Sequence, residues 1–379
     1  MENKVNIAII AGQLVVGGAE RQLYLWLSNL DRKRFNPIVL TLHPGHNDYW
    51  EKPIKDLGIP LFEIPSRKNR ISRLIEIVRI IRPYQPKLIH GWHIFASAYA
   101  GLVSQLLRTK SLGGVRNYSS FLKNNLLEFL VTLWTVDAIV VNSSSTAKYL
   151  EQKIKRRNLK IFAVQNAVEE NDIDREQIRK NIIKAFGIND NSMLIGSMGR
   201  MDPLKKFDLL IQVFSELRVE NKNIHLLLIG DGPEKPRLIK LVESIGLTPF
   251  VTFTGEIPNA ATWLRAFDVF AFTSLDEGMP NVIMEAAAAG LPIVTWKLPF
   301  YEELLQDGKT ALLVEAEDLS AMKHAILGLI DSPEQRVQLG NAAREHILSS
   351  FSLQTYVQKM TGVYEFILSA SSSTSKRTE

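Results

Sequence analysis

The chain has no cysteine among its 379 residues, which excludes disulfide bonds, thiolate metal sites and a cysteine nucleophile. It also lacks a long uncharged apolar run. The most apolar stretch, Leu126 to Val141, contains Glu128 and Asp137, so we interpret it as a buried helix and a strand, not a membrane span. Gly12 ends the short apolar run at the N-terminus, which favours a first strand over a signal peptide. We therefore expect a soluble, cytoplasmic protein.

Acidic residues are scarce in the first part of the chain. Through Glu170 there are 24 lysines and arginines against 13 aspartates and glutamates, a net charge of +11, whereas the remainder has 21 against 27, or −6. This asymmetry predicts an anionic partner for the basic part, either nucleic acid or the inner face of an anionic membrane. The sequence has no recognised nucleic-acid motif and no interleaving of aromatic and basic residues, so we expect no nucleic-acid partner.

A basic amphipathic helix pattern follows Arg67 and Lys68 and ends at Arg82. The apolar residues that we place on one face of this helix are Ile71, Leu74, Ile75, Val78 and Ile81. Such a helix suits the surface of a membrane, but the same pattern is typical of a core-facing helix with a solvated charged side. Both interpretations remain open at this point.

Strand and helix patterns alternate about seven times up to the strand Ile161–Val164, which predicts a mostly parallel, doubly wound sheet. A polar segment from Glu169 to about Ile178 indicates a linker, and a second alternating series begins with the strand Leu194–Met198. We therefore predict an α/β chain with two Rossmann-like domains. The composition of residues 371–379 predicts a disordered tail.

Polar loops follow three strand patterns in the second half, with the sequences GRMDPLKK, GDGP and SLDEGMPN. Arg200 and Lys205 follow one strand closely, where two cations can neutralise a diphosphate leaving group. Glu277 and Glu285 lie on either side of a predicted helix N-terminus after Pro280, and helix N-termini bind anions. We expect Glu277 to contact a transferred sugar and Glu285 a ribose. The alternative is a plain strand–loop–helix crossover with incidental glutamates.

The first half carries two further candidate loops. Gly17 and Gly18 precede the first helix and allow the backbone to approach a phosphate, although the GxGxxG spacing of a dinucleotide site is absent. His90 and His93 lie at the carboxyl end of a strand, the edge where open α/β sheets bind ligands. We expect at least one of these two histidines only to cap or pack locally.

An Asp-x-Asp pattern at Asp172 and Asp174 is the one sequence feature that suggests a metal. It lies in the linker with no strand before it, so we interpret it as a solvated charged turn. The sequence therefore predicts no metal and no cofactor.

Taken together, these motifs resemble the family 4 retaining glycosyltransferases of the GT-B fold over nearly the whole chain. The second half carries the sharper marks, which are Gly-Arg before Lys205, GDGP, the two glutamates within EGMPNVIMEAAAAGLP, and Gly308. The first half adds GGAE, HGWH, Asn142-Ser143 and Asn166.

The resemblance implies a role for each marked residue. Arg200 and Lys205 grip the donor diphosphate, Glu277 contacts the donor sugar, and His93 or His90 lies near the transferred sugar, with His93 favoured. The implied donor contacts are Gly17 and Gly18 from the other domain, and Gly199, Gly230, Gly278, Met279, Pro280, Asn281, Val282 and, at the ribose, Glu285. The implied acceptor-side residues are His90, Arg116 and Asn142.

The resemblance also implies two domains that face each other across a cleft. Residues 1–168 plus a returning helix at 352–370 would bind the acceptor, and residues 169–351 would bind the donor. The implied reaction is metal-independent hexose transfer with retention of configuration, from a nucleotide-diphosphate sugar, with a UDP-sugar favoured, to a glycan or lipid-linked acceptor. Its implied context is surface polysaccharide or glycolipid synthesis. The alternative is a non-catalytic nucleotide-sugar or glycan-binding protein on the same fold.

Three positions depart from the family pattern. Lys206 stands where the family usually has glycine, Ala167 replaces the glycine of an Asn-Gly pair, and Thr310-Ala311 replaces an Asn-Gly pair after Gly308. None of these changes removes a charged participant, so we expect an active enzyme.

Overall fold

The computed structural model describes residues 4–45, 48–65, 69–116, 126–154, 156, 158–170 and 174–369. The chain divides into two compact units, which we treat separately: a first unit of Met1–Ala167 with Leu353–Glu379, and a second unit of Val168–Ser352. Arg67, Lys68, Asp172 and the expected tail at 371–379 lie outside the described residues.

Over its described residues, the first unit contains one seven-stranded parallel sheet in the order β3-β2-β1-β4-β5-β6-β7. Its strands are β1 (Val5–Ala11), β2 (Phe35–Thr41), β3 (Leu61–Glu63), β4 (Leu88–Gly91), β5 (Lys110–Val115), β6 (Ala138–Val141) and β7 (Lys160–Ala163). Its helices are α1 (Gly18–Ser28), α2 (Glu51–Asp56), α3 (Arg70–Ile81), α4 (Ile94–Leu107), α5 (Leu126–Thr135) and α6 (Ser144–Lys153). The C-terminal helix Leu353–Ser369 also belongs to this unit.

The second unit contains a six-stranded parallel sheet in the order β10-β9-β8-β11-β12-β13 over its described residues. Its strands are β8 (Met193–Met198), β9 (Ile224–Ile229), β10 (Val251–Gly255), β11 (Val269–Phe272), β12 (Ile293–Trp296) and β13 (Leu312–Val314). Its helices are α7 (Arg175–Phe186), α8 (Phe207–Glu220), α9 (Lys235–Ser244), α10 (Asn281–Ala288), α11 (Pro299–Glu302), α12 (Leu319–Asp331) and α13 (Pro333–Ser350). The segment Ala260–Ala266 is a 3-10 helix. The C-terminal helix is α14.

The sequence explains this layering. The strand Ile224–Ile229 is apolar except for His225 and is buried along its whole length, as expected for a strand covered by helices on both faces. Short polar side chains start the helices: Ser143 accepts a hydrogen bond from the backbone of Thr146, and Asp174 caps α7. The prediction of two Rossmann-like α/β units is confirmed.

The helix α14 belongs to the core of the first unit. Tyr356 and Tyr364 are fully buried, and the Trp26 indole donates a hydrogen bond of 3.2 Å to the Tyr364 hydroxyl. Gln22 fixes the backbone of Ala167, because its side-chain amide both donates to the Ala167 carbonyl (2.7 Å) and accepts from the Ala167 N–H (2.9 Å).

Two helix faces differ from the sequence prediction. In α3 the buried residues are Arg73, Ile77 and Ile81, whereas Ile71 and Ile75 are exposed. Apolar residues of α3 occupy more than half of its circumference, so their spacing does not identify the face that packs against the core. The expected buried helix α5 also exposes its apolar residues, namely Leu126, Leu127, Leu130 and Trp134. None of the helices formed by the described residues is long and apolar enough to cross a membrane.

Candidate functional site

Three loops of the second unit meet at one edge of its sheet. The strand β8 lies between β9 and β11, and all three are parallel, so the loops that follow them leave from neighbouring carboxyl ends. Backbone hydrogen bonds tie the loops together, with Gly199 N–H to Ile229 O at 3.0 Å and Met201 N–H to Asp231 O at 2.8 Å. This edge is where open α/β sheets bind ligands.

Lys205 and Glu277 join two of these loops. Their side chains form an ion pair and both are largely buried. The Thr273 hydroxyl lies within hydrogen-bond distance of the carbonyls of Lys205 (3.0 Å) and Lys206 (2.9 Å), which fixes the backbone behind the pair. The structure therefore brings these two sequence-predicted residues into direct contact.

Arg200 is arranged differently from Lys205. It follows β8 with an exposed side chain, which forms no hydrogen bond or ion pair with another described residue. A guanidinium in this state keeps all five N–H donors available for a phosphate, which suits bidentate recognition.

The helix α10 begins directly after the loop that carries Glu277. Its N-cap is Pro280, which supplies no side-chain cap, so the first N–H groups of the helix depend on other partners. Gly278, Met279 and Pro280 are buried, while Asn281, Val282 and Glu285 are partly exposed. These positions surround a helix N-terminus, where the helix dipole favours an anion.

A buried tyrosine supports the loop that carries Glu277. The Tyr301 hydroxyl donates a 2.9 Å hydrogen bond to the Ser274 carbonyl. Burial, with a smaller contribution from the charge of Glu277, raises the pKa of Tyr301 well above its ordinary value, so the phenol stays protonated as a donor. Tyr301 was missed by the sequence analysis, since no local pattern marks a supporting residue.

Steric contact with a neighbouring loop requires glycine at position 230. Its φ is +133°, and a Cβ at this position would overlap with the Gly199 carbonyl oxygen. The GDGP loop can lie against the loop after β8 only because this side chain is absent.

In the first unit, His93 pairs with Glu20. Their Nε2 and Oε1 atoms lie 3.3 Å apart, and both side chains remain partly accessible. Gly17 is the N-cap of α1 and Gly18 its first residue, and a Cβ on Gly17 would overlap with the Glu20 carboxylate. Glu20 was not among the sequence-predicted site residues, although it is the last residue of the GGAE motif.

His90 lies in the core. Its side chain is fully buried, and its Nδ1 lies 2.8 Å from the Tyr364 hydroxyl. Burial, followed by the charges of Arg116 and His93, holds the pKa of His90 well below its ordinary value, so this histidine is neutral. His90 thus packs locally, which we expected of at least one of the two histidines.

Arg116 and Asn142 follow β5 and β6 and are also buried. The Arg116 guanidinium stacks 3.8 Å from the centre of the Trp92 ring, and its Nε donates to the Trp92 carbonyl at 3.3 Å. Burial lowers the pKa of Arg116 from its ordinary value. The Asn142 amide donates to the Arg116 carbonyl at 3.2 Å. These contacts hold Arg116 and Asn142 in place at the carboxyl edge of the first sheet.

Two family models match the chain. The model of Glycosyltransferase Family 4 matches residues 16–172, and the model of Glycosyl transferases group 1 matches residues 178–346. The chain belongs to glycosyltransferase family 4. It is therefore a glycosyltransferase, as the sequence motifs predicted.

Curated relatives agree with this assignment to family 4. The chain is 26% identical over 340 residues to the lipopolysaccharide core biosynthesis glycosyltransferase LpsD of Rhizobium meliloti (strain 1021), covering 89% of this chain and 91% of that protein. It is 28% identical over 298 residues to the N-acetylgalactosamine-N,N'-diacetylbacillosaminyl-diphospho-undecaprenol 4-alpha-N-acetylgalactosaminyltransferase of Campylobacter jejuni subsp. jejuni serotype O:2 (strain ATCC 700819 / NCTC 11168), covering 78% of each chain.

Solved structures show the same fold. The crystal structure of Anabaena HepE in complex with UDP-glucose superposes with a TM-score of 0.82 at 18% identity, covering 95% of this chain and 99% of that chain. This family 4 chain therefore has the two Rossmann-like units of the GT-B glycosyltransferases.

Proposed function

We propose that this glycosyltransferase transfers a hexose from a UDP-sugar, with retention of anomeric configuration and without a metal, to a glycan or lipid-linked acceptor. The second unit is proposed to bind the donor and the first unit the acceptor. The proposed context is the synthesis of a surface polysaccharide or glycolipid.

The observation that carries the proposal is the Lys205–Glu277 pair at the edge of the second sheet. Lys205 is held in place by a carboxylate, Arg200 is exposed nearby in sequence, and the N-terminus of α10 follows the same loop. Three positive features at one sheet edge favour a diphosphate, whose negative charge rises when the bond to the sugar breaks. Preorganised cations of this kind stabilise the leaving group without a metal.

In the proposed retaining reaction, Glu277 binds the sugar and does not act as a nucleophile. A carboxylate engaged by an ammonium is a weak nucleophile, but it still accepts hydrogen bonds from sugar hydroxyls. We propose that the acceptor hydroxyl attacks from the face that the diphosphate leaves, and that the departing phosphate helps to take the hydroxyl proton.

The substrate classes rest on the relatives. The Anabaena structure contains UDP-glucose, which supports a UDP-sugar donor. One relative is named for lipopolysaccharide core synthesis and another for a diphospho-undecaprenol substrate, which supports a glycan or lipid-linked acceptor. A lipid-linked acceptor and the basic first part of the chain together support peripheral association with an anionic membrane on its cytoplasmic side.

A thermal-shift screen tests the donor site. UDP, GDP, ADP and TDP are added with their common sugars and no metal, and a ligand at 100 times its Kd stabilises by about 2.7 kcal/mol. We expect a shift with UDP and UDP-sugars that Arg200→Ala and Glu285→Ala abolish. Lys222→Ala is the matched control, because Lys222 is an exposed cation before β9, at the opposite edge of the sheet. A shift with another nucleotide family would overturn the UDP assignment, and no shift with any would favour a non-catalytic protein.

A further inference from the structure

Exposed apolar side chains are concentrated on two helices of the first unit. Among the described residues, thirteen large hydrophobic side chains are exposed, and six of them belong to α3 and α5. They are Ile71, Ile75, Leu126, Leu127, Leu130 and Trp134, which we call the apolar face. Ile71 is 73% exposed and Trp134 is 72% exposed. Such a concentration on a folded protein indicates an interaction surface.

The part of the face on α5 has the form of an interfacial helix. Leu127, Leu130 and Trp134 follow one another at intervals of three and four residues, so they share one side of α5. A helix of ten residues is about 15 Å long, too short to cross a hydrocarbon core but suited to lie along its surface. A tryptophan at the end of the stripe suits the boundary between lipid and water.

The charges near the apolar face indicate which kind of partner it binds. Arg70 Nη2 lies 2.7 Å from Glu128 Oε1, so the one acidic residue of α5 is neutralised by the first residue of α3. Arg79 and Arg82 are exposed along α3 and its extension, in a part of the chain with 24 basic against 13 acidic residues. Apolar side chains beside exposed arginines match a surface with anionic headgroups and acyl chains.

We propose that the apolar face inserts into the headgroup region of an anionic membrane and that Arg79 and Arg82 contact its lipid headgroups. This inference rests on the membrane association stated in the proposed function and names the surface that performs it. Neither the apolar stripe nor its exposure follows from net charge, so this inference can fail while the membrane association stands.

Vesicle binding tests the face with the full chain. Sedimentation is measured with vesicles of phosphatidylcholine alone and with 30% phosphatidylglycerol, for Leu130→Ser, Trp134→Ser and the wild type. We expect binding only to the anionic vesicles, weakened by salt, and about tenfold weaker for each serine variant. The matched controls are Val219→Ser and Val337→Ser, which are more exposed than Leu130 and lie on helices of the second unit, and we expect wild-type binding from both.

Tryptophan emission provides an independent readout of insertion. We expect a blue shift on vesicle addition in the wild type and no shift in Trp134→Phe, which keeps an aromatic side chain and should still sediment with vesicles. Binding that the face variants do not weaken would place the membrane contact elsewhere and overturn this inference alone. A dimer in solution that Trp134→Ser dissociates would also overturn this inference. No vesicle binding would overturn both the inference and the membrane association, while UDP binding would still test the donor site.

Discussion

Glu20 Oε1 lies 3.3 Å from His93 Nε2, which joins the N-terminus of α1 to the N-terminus of α4 in the first unit. A carboxylate on one ring nitrogen fixes the tautomer and the orientation of a histidine. The family resemblance implies that His93 lies near the transferred sugar, and we propose that Glu20 is a positioning residue for it.

We therefore predict that Glu20→Ala lowers turnover about tenfold to a hundredfold, the range expected when a reacting geometry is disturbed. Transfer kinetics with a UDP-sugar measure the effect. In a His93→Ala background the same substitution should change the rate little, because each substitution alone already removes the Glu20–His93 interaction. Glu51→Ala, at a partly exposed acid of α2 that pairs with Lys55, is the control. Equal effects of Glu20→Ala with and without His93 would contradict the positioning role.

The backbone of Lys206 carries a conformation that glycine prefers. Lys206 is the N-cap of α8 with φ of 52°, in the left-handed region, and this explains why the family usually has glycine here. We predict that Lys206→Gly raises the free energy of unfolding by about 0.5–1 kcal/mol, measured by urea denaturation. Lys206→Ala keeps the strained φ and should give no gain. Destabilisation by the glycine variant would show that the lysine side chain supports the loop.

Gly230 tests the close contact between two donor-site loops. Gly230→Ala would force a Cβ against the Gly199 carbonyl and should destabilise the protein by about 2–4 kcal/mol. Gly187→Ala is the control for a positive φ alone, because Gly187 has φ of 63°, in the milder left-handed region, and open space around it, and it should cost only about 1 kcal/mol. Thermal unfolding compares the two. Equal losses would mean that backbone conformation, not the approach of the loops, requires glycine at position 230.

His225 makes stability depend on pH. Burial, aided by the charge of Arg218, lowers the pKa of His225 to about 4, and its Nε2 lies 2.8 Å from the Thr252 hydroxyl. Since the folded-state pKa lies below the unfolded value, the unfolded chain binds more protons between about pH 6.5 and pH 4.

We predict that the free energy of unfolding falls by at most about 1.4 kcal/mol per pH unit from this histidine as pH drops through that window. His225→Gln keeps a hydrogen-bonding group without the titration and should flatten the slope. Denaturation curves at pH 4 to 7 measure both proteins, and an unchanged slope in the variant would contradict the assignment.

The sequence predicted what depends on local pattern and on strand order. Strand patterns such as Leu194–Met198 identified buried strands, and polar residues at the ends of parallel strands identified the loops that hold Lys205 and Glu277. It did not predict which face of α3 packs, because Ile71 and Ile77 are equally apolar and only the tertiary fold distinguishes them. Glu20 was missed for the same reason, since its role depends on a contact with a residue 73 positions away.

The most direct test of the central claim is the release of UDP from UDP-hexoses in the presence of a metal chelator, with the anomer of the new glycosidic bond assigned by proton NMR. We predict turnover that Arg200→Ala or Lys205→Ala lowers by about 10²–10³, and a product that keeps the configuration of the donor. UDP release that stops with the chelator, or a product of inverted configuration, would contradict metal-independent, retaining transfer.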